Sequence, residues 1–153
     1  GKKKRPIEYG AACVIDRRDG DFVQKVLSFT GGRDVDKVFD SAGGAILDRS
    51  FDVVRKLGHV VSIGEAAGRP LPNLWERLVA RSLTYSRMHL GHIEFAGQIW
   101  QKSRAAIFGG LGEGWLKVPI EDVVPLEDAA ASLKRLASRQ VAGKLLLSVC
   151  PEL

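Results

Sequence analysis

Residues 35–64 read VDKVFDSAGGAILDRSFDVVRKLGHVVSIG, and this stretch decides the fold class. An apolar run ends at Asp40-Ser41 and a pair of glycines, an amphipathic segment follows, and a second apolar run ends at Ser62-Ile63-Gly64. That order predicts a strand, a turn, a helix and a second strand. Parallel sheets bind ligands at the carboxyl ends of their strands, and small residues there allow close approach to the backbone. The stretch therefore predicts a ligand-binding βαβ unit.

The same alternation of strand and helix patterns continues along the rest of the chain. Apolar runs and periodic segments, bounded by glycine and proline, define each predicted element. The predicted strands are Ala12–Ile15, Val35–Phe39, His59–Ile63, an edge strand at Ser82–Arg87, and Lys144–Val149. The predicted helices lie between Asp21 and Thr30, between Ile46 and Gly58, and at Leu74–Val79, Ile93–Leu111 and Glu127–Ser138. This alternation predicts crossover connections and a mainly parallel sheet.

Composition excludes several classes of protein. The net charge of +5 resides largely in the Lys2–Arg5 cluster, and the remainder mixes acids and bases, so we expect no nucleic-acid partner. No apolar run approaches the roughly 18 residues that a membrane-spanning helix needs, so we expect no membrane partner. Cys13 and Cys150 lie far apart and predict two reduced, buried thiols in a cytoplasmic protein. Since a structural zinc site needs about four ligands, we expect no metal site here.

Two strand ends are candidates for the binding site. Asp40–Gly44 offers a hydroxyl and exposed backbone N–H groups at a helix start, which suit an anion or a ribose phosphate. Ser62–Ala66 repeats the arrangement at the next strand end. An ordinary capped loop has the same letters, and no arrangement of nucleophile and base or of paired carboxylates stands out. The residues alone therefore predict a parallel α/β ligand-binding domain, and a Rossmann-like methyltransferase fits that description equally well.

The order of the motifs adds a resemblance to a family. The strings GAACVID, DFVQKVLSFTGGRDVDKVFDSAGG, LGHVVSIG, SLTYSR, GWLKVPI and VPLEDAAASLKRLASRQVAGKLLLSV resemble the carboxyl-terminal half of the medium-chain dehydrogenases, in the NADPH:quinone oxidoreductase (zeta-crystallin-like) branch. The resemblance implies an α/β fold: a partial, doubly wound Rossmann sheet that lacks its first two strands. It implies a dinucleotide-binding domain at residues 1–114. Residues 115–153 would be a helix-strand segment that returns to a GroES-like catalytic domain, which this sequence does not contain.

The resemblance also implies a cofactor site for NADPH. The matching positions include a basic residue, Lys2, and an arginine, Arg17, near the adenosine 2′-phosphate. Ser41 matches a residue that lines the cofactor cleft, and Arg139 matches an arginine that reaches the phosphate region. The segment beside the nicotinamide half comprises Ile63, Gly64, Glu65 and Ala66.

The activity implied is an NADPH-dependent oxidoreductase that transfers hydride to a small-molecule quinone or enone. This chain would be the cofactor-binding part and would supply no catalytic acid or base. Two alternatives remain: an enoyl reductase module of a multidomain synthase, and a non-catalytic dinucleotide-binding or structural protein. We expect the 153 residues to be a fragment of a longer chain and inactive alone. The resemblance further implies a homodimer that pairs through Ser82–Arg87.

Overall fold

A computed structural model of the protein describes residues 4–17, 20–138 and 140–150. The chain divides into two compact units. One unit is Gly10–Glu94, and the other combines the segment up to Tyr9 with the segment from Phe95 onward. The predicted division into residues 1–114 and 115–153 stays a prediction.

The unit Gly10–Glu94 is built on a three-stranded parallel sheet. Helix α1 (Lys4–Glu8) precedes this unit in the chain and belongs to the other one. The elements of the unit Gly10–Glu94 are, in chain order, α2 (Phe22–Phe29), β1 (Val35–Asp40), α3 (Gly44–Ser50), β2 (Val54–Ser62), α4 (Leu74–Val79) and β3 (Thr84–Arg87). The order β1-β2-β3 follows the chain, and both neighbouring pairs are parallel. This arrangement confirms the parallel α/β architecture predicted from the alternation of strand and helix patterns.

Local signals explain where α2 begins and ends. The carboxylate of Asp21 accepts hydrogen bonds from the N–H groups of Val23 at 2.9 Å and Gln24 at 3.4 Å. Such a cap satisfies donors that lack a partner within the helix. At the other end, the Gly32 N–H donates to the Leu27 carbonyl at 2.7 Å, and Gly32 has a φ of 78°. The helix therefore stops where a glycine adopts the left-handed conformation.

The core of this unit lies between the sheet and the chain segments that cross it. Five buried side chains form the core: Leu47, Phe51, Val54, Val60 and Leu83. Partly buried side chains of β1, β3 and α4 pack against them. The i, i+4 spacing of Leu47 and Phe51 predicted a shared face, and both residues are buried. Burial of a large apolar side chain contributes about 1.5–3 kcal/mol, so this cluster holds the crossover segment on the sheet.

In this unit, two predicted boundaries and one predicted strand are wrong. The helix predicted to run on to Gly58 ends at Ser50, and a short 3-10 turn leads into β2 at Val54. Val54 is fully buried and pairs with Val35, so sheet pairing overrides the helical spacing. Ala12–Ile15 forms no strand, since no strand lies beside it among the described residues. The edge strand begins at Thr84 instead of Ser82, whose φ of 51° departs from extended geometry.

The second unit contains a smaller parallel pair of strands. Its further elements are α5 (Gln98–Gly112), β4 (Ile120–Pro125), α6 (Ala129–Ala137) and β5 (Lys144–Ser148). β4 and β5 pair in parallel, and α6 connects them. Arg135 of α6 donates to Asp122 of β4 at 2.7 Å, which ties the helix to the strand. Helix α5 begins at Gln98, five residues later than the predicted Ile93.

The two cysteines differ from the prediction in their burial. Cys13 and Cys150 are both free thiols, as predicted, but both are exposed. Cys13 lies in the segment that forms no strand, so nothing packs over it as a sheet neighbour would. Within the described residues, no helix is both long enough and apolar enough to cross a membrane.

Candidate functional site

The carboxyl ends of the three parallel strands lie side by side. Asp40 pairs with Ser62, and Ser62 pairs with Arg87, so the three strands end in the same row. The hydrogen-bonded ladder extends one residue further, because Ile63 N–H donates to the Asp40 carbonyl at 2.7 Å and Met88 N–H donates to the Ser62 carbonyl at 2.9 Å. The loops that follow the strands therefore leave from one edge, where open α/β sheets bind ligands.

The turn after β1 is closed by the side chain of Asp40. This carboxylate is 4% exposed and accepts hydrogen bonds from the N–H groups of Ala42 at 3.2 Å and Gly43 at 2.8 Å. The sequence predicted exposed N–H groups here for an anion. That prediction is wrong for these two groups, because a buried carboxylate of the chain itself already accepts from them.

Glycines bring the first two loops into direct backbone contact. A Cβ on Gly64 would lie 2.6 Å from the Ser41 carbonyl oxygen, and a Cβ on Gly44 would lie 2.6 Å from the Ala67 carbonyl oxygen. The Ala67 N–H also donates to the Ala42 carbonyl at 2.6 Å. These glycines therefore allow the loops to pack on one another, whereas the sequence pattern predicted that small residues there serve ligand approach.

The structure brings most of the predicted nicotinamide-side residues together. Ser41 follows β1 and is exposed, and Ile63 follows β2 and is half exposed. Gly64 contacts the Ser41 backbone, and Glu65 and Ala66 continue the same loop as exposed residues. Two neighbouring loops thus present a hydroxyl, an apolar side chain and a carboxylate.

Of the three basic residues predicted to surround a phosphate, the structure describes one, Arg17. Arg17 is exposed, and within the described residues it makes no hydrogen bond or ion pair. Its guanidinium is therefore available to an anion. Lys2 and Arg139 lie outside the described residues.

A pocket of about 420 Å³ opens beside Ile63 at the ends of β2 and β3. Its other lining residues are Arg87, Met88, His89 and Leu90. None of these four was predicted from the sequence to belong to the site. One signal was present: Arg87 ends the predicted edge strand, and parallel pairing places that end next to Ser62. The register that brings them together is a property of the folded sheet.

Arg87 is held in place by backbone carbonyls. Its Nη1 donates to the carbonyls of Ser62 at 3.3 Å and Met88 at 3.1 Å. Its Nη2 lies 4.0 Å from the nearer carboxylate oxygen of Glu65, a distance too long for a hydrogen bond. The Nδ1 atom of His89 accepts from the Gly91 N–H at 3.1 Å, which leaves Nε2 of the neutral ring as a donor. The pocket thus combines apolar walls with a fixed cation.

Comparison with known proteins places this architecture in a family. The family model described as zinc-binding dehydrogenase matches residues 9–147. The chain belongs to the zinc-binding dehydrogenase family. The resemblance to the medium-chain dehydrogenases, and to their quinone oxidoreductase branch, is therefore confirmed, as is the fold class.

Two curated relatives of this zinc-binding dehydrogenase chain are equally similar to it. Quinone oxidoreductase 1 of Escherichia coli (strain K12) is 31% identical over 150 residues, which are 95% of this chain and 46% of that protein. The 2-haloacrylate reductase of a Burkholderia species is 31% identical over 148 residues, which are 95% of this chain and 44% of that protein. The chain therefore spans less than half the length of these relatives.

A solved structure shows the same fold. The E. coli quinone oxidoreductase crystallised with NADPH superposes with a TM-score of 0.83 at 28% identity, over 95% of this chain and 45% of that one.

The family description mentions zinc, yet the described residues contain no group of three or more His, Cys, Asp or Glu side chains that could hold a metal ion. These residues therefore do not fit a zinc ion.

Proposed function

We propose that this chain is the cofactor-binding part of an NADPH-dependent oxidoreductase that transfers hydride to a quinone or an activated alkene. The observation that carries the proposal is the aligned row of strand ends, with Ser41 and Ile63 exposed on adjacent loops. Membership of the dehydrogenase family and the NADPH-containing E. coli structure support this choice of cofactor.

The residues of the site fit the parts of NADPH. Ile63 would pack against the nicotinamide ring, the Ser41 hydroxyl would bind a sugar or amide oxygen, and the free guanidinium of Arg17 would bind the 2′-phosphate. When bound, the cofactor supplies a hydride, and a proton from solvent completes the reduction of the acceptor while NADPH becomes NADP⁺. The chain's own contribution is to position the cofactor and exclude water from one side of the ring.

We also propose that two copies pair through β3. This strand has one hydrogen-bonded neighbour among the described residues, so its other edge is open to a second chain. Pairing of two copies through β3 would join their sheets into one.

We further assign the protein to the cytoplasm, since two exposed free thiols suit a reducing compartment.

A chimera tests the oxidoreductase proposal. The portion of E. coli quinone oxidoreductase 1 that this chain does not match is joined to this chain, and oxidation of NADPH is followed at the cofactor absorbance with a quinone present. We expect turnover by the chimera and none by the E. coli portion alone. A folded chimera that binds NADPH without oxidising it would favour the non-catalytic alternative.

A further inference from the structure

Asp40 is tied to both strand-end loops that form the proposed nicotinamide surface. Its carboxylate accepts hydrogen bonds from the N–H groups of Ala42 and Gly43, which belong to the loop after β1. Its main-chain carbonyl accepts from the N–H of Ile63, at the start of the loop after β2. Asp40 is therefore the residue at which both loops are joined to the end of β1.

The two oxygens of the Asp40 carboxylate have separate partners. Oδ1 accepts from the Ala42 N–H at 3.2 Å, and Oδ2 accepts from the Gly43 N–H at 2.8 Å. An ionised carboxylate only accepts hydrogen bonds, whereas an asparagine side chain has one acceptor oxygen and an NH₂ group that donates. In an Asp40→Asn variant that NH₂ group would face a main-chain N–H, so one of the two hydrogen bonds would be lost. The turn therefore needs a carboxylate and not merely a polar side chain.

These hydrogen bonds enclose Ser41, whose hydroxyl is proposed to bind the cofactor. Ser41 is exposed, and within the described residues its hydroxyl makes no hydrogen bond. The Asp40 carboxylate holds the chain on the carboxyl side of Ser41, and Gly64 packs against the Ser41 main chain from the neighbouring loop. The backbone of Ser41 is thus fixed from two sides, while its hydroxyl is left for a ligand.

The burial of Asp40 restricts which part of a ligand the Ser41 hydroxyl can meet. Asp40 is 4% exposed, and its carboxylate forms no ion pair in the described part of the chain. Because charges interact strongly in a medium of low polarity, this carboxylate disfavours a phosphate beside Ser41. A neutral sugar hydroxyl or a carboxamide would meet no such repulsion.

We propose that Asp40 is a positioning residue for NADPH, which holds Ser41 where its hydroxyl meets the neutral nicotinamide riboside half of the cofactor. Asp40 is buried and acts through Ser41 instead of touching the cofactor. The inference rests on the proposed function and adds a residue that was absent from the predicted site. Its consequence is specific: the effect of Asp40 on cofactor binding should disappear when the Ser41 hydroxyl is removed.

A double-mutant cycle on the chimera tests this consequence. Isothermal titration gives the NADPH dissociation constants of the unaltered chimera, Asp40→Asn, Ser41→Ala and the double variant. We expect each single substitution to weaken NADPH binding roughly fivefold, as for the loss of one hydrogen bond. In the Ser41→Ala background, Asp40→Asn should change the dissociation constant by less than about twofold, because the two residues act as one unit. If Asp40→Asn does not fold, Asp40→Ser replaces it in the cycle, since its hydroxyl keeps one acceptor oxygen at the turn.

Two matched controls separate positioning from a general loss of stability. The Ile63 N–H donates to the main-chain carbonyl of Asp40 and not to its side chain, so the effects of Asp40→Asn and Ile63→Ala on NADPH affinity should multiply. Asp34 lies next to the opposite end of β1, where its carboxylate accepts from Arg81 at 2.9 Å. Asp34→Asn should lower the free energy of unfolding and leave NADPH affinity unchanged.

Hydrogen exchange of the full chain gives a readout that needs no cofactor. In Asp40→Asn, the amide of Ala42 or of Gly43 should exchange roughly tenfold faster, because one of them loses its acceptor. The amide of Ile63 should keep its rate, since its acceptor is a main-chain carbonyl. Unchanged exchange at both Ala42 and Gly43 would overturn the inference.

The outcomes also distinguish this inference from the proposed function. If the chimera binds NADPH and Asp40→Asn costs the same affinity with and without the Ser41 hydroxyl, the positioning role is overturned while the proposed function stands. Unchanged affinity in Asp40→Asn or in Ser41→Ala overturns it as well. A chimera that gives no NADPH titration at all overturns the proposed function, and the positioning role with it, before any variant is compared.

Discussion

Arg77 of α4 binds Asp48 of α3 through two parallel hydrogen bonds, from Nε to Oδ1 at 2.8 Å and from Nη2 to Oδ2 at 2.6 Å. The remaining guanidinium nitrogen, Nη1, donates to Asp52 at 2.8 Å. The loop that contains Ile63–Ala66 runs from β2 to α4, so this contact fixes its far end. A bidentate arginine–carboxylate pair is stronger and more directional than a single hydrogen bond.

Removal of this pair should destabilise the unit Gly10–Glu94. We expect Asp48→Asn to lower the free energy of unfolding by about 1–2 kcal/mol, because Asp48 is largely buried while Arg77 keeps some solvent contact. The matched control is Asp36→Asn, which should leave the free energy of unfolding nearly unchanged because water screens the exposed Arg55–Asp36 pair. Urea denaturation measures the free energy of unfolding of both variants. Equal losses of stability would contradict the conclusion that the Arg77–Asp48 pair stabilises this unit more than the exposed Arg55–Asp36 pair.

The same pair predicts a pH dependence of stability. Hydrogen bonds from Arg77 hold the pKa of Asp48 below its ordinary value, against the opposing effect of burial. A carboxyl group with a lowered pKa in the folded state stabilises it above the unfolded pKa of about 3.9, and this stabilisation is lost as the pH falls through the folded pKa. The stability difference between the unaltered chain and Asp48→Asn should therefore be constant near neutral pH and shrink below about pH 4. A difference that persists in acid would show that lost packing, and not charge, causes it.

Two glycine substitutions should have opposite effects. Gly64→Ala places a Cβ 2.6 Å from a backbone oxygen of Ser41, and backbone cannot move aside as a flexible side chain can. We expect a loss of about 1–3 kcal/mol. Gly109 lies within α5, and a Cβ added there would have no atom within 4 Å, so Gly109→Ala should gain up to about 1 kcal/mol from helix propensity. Circular dichroism during urea unfolding measures both, and a Gly64→Ala variant of unchanged stability would contradict the loop contact.

Cofactor preference should depend on Arg17. If its free guanidinium binds the 2′-phosphate, the chimera should bind NADPH more tightly than NADH, and Arg17→Gln should reduce that ratio roughly tenfold. Arg69→Gln serves as the control, because it removes an exposed arginine from the nicotinamide-side loop. Isothermal titration with both cofactors gives the ratios. Equal affinity for NADPH and NADH in the unaltered chimera would contradict the assignment of Arg17 to the 2′-phosphate.

Association through β3 should be visible in solution mass. Sedimentation equilibrium measures the mass of the chain in solution at a low and at a high protein concentration. We expect twice the mass of one chain at the high concentration, because the open edge of β3 would pair with a second copy. Hydrogen exchange should then slow at the amides of Thr84–Arg87. A mass of one chain at all concentrations would exclude the dimer.

Local patterns predicted several elements closely. Leu74–Val79 was predicted with the bounds that α4 has, and Asp21 was identified as the residue that caps α2. Both depend on signals within one turn of helix. The helix around Leu47 was predicted too long, because a buried Val54 fits both the i, i+3 helical spacing from Phe51 and the start of a strand. Only pairing with Val35 distinguishes the two.

The site was predicted in part. Ser41 and Ile63 lie on adjacent loops, as their positions after successive strands indicated. The roles of Gly44 and Gly64 were not foreseen, because the atoms they accommodate belong to the neighbouring loop, more than twenty residues away in sequence. Arg87 was missed for the same reason, since its partners are carbonyls that parallel pairing brings beside it.

The sequence by itself determined the fold class and the row of small and polar residues at the strand ends, because hydrophobic period and turn chemistry act between near neighbours. The family followed from the resemblance of the ordered motifs to known dehydrogenases. The tertiary structure decided what those residues contact: Asp40 occupies the N–H groups expected to bind an anion, and Arg87 enters the pocket beside Ile63. Such contacts depend on strand register and on the close approach of separate loops. Both are set by packing across the whole sheet, which local sequence does not encode.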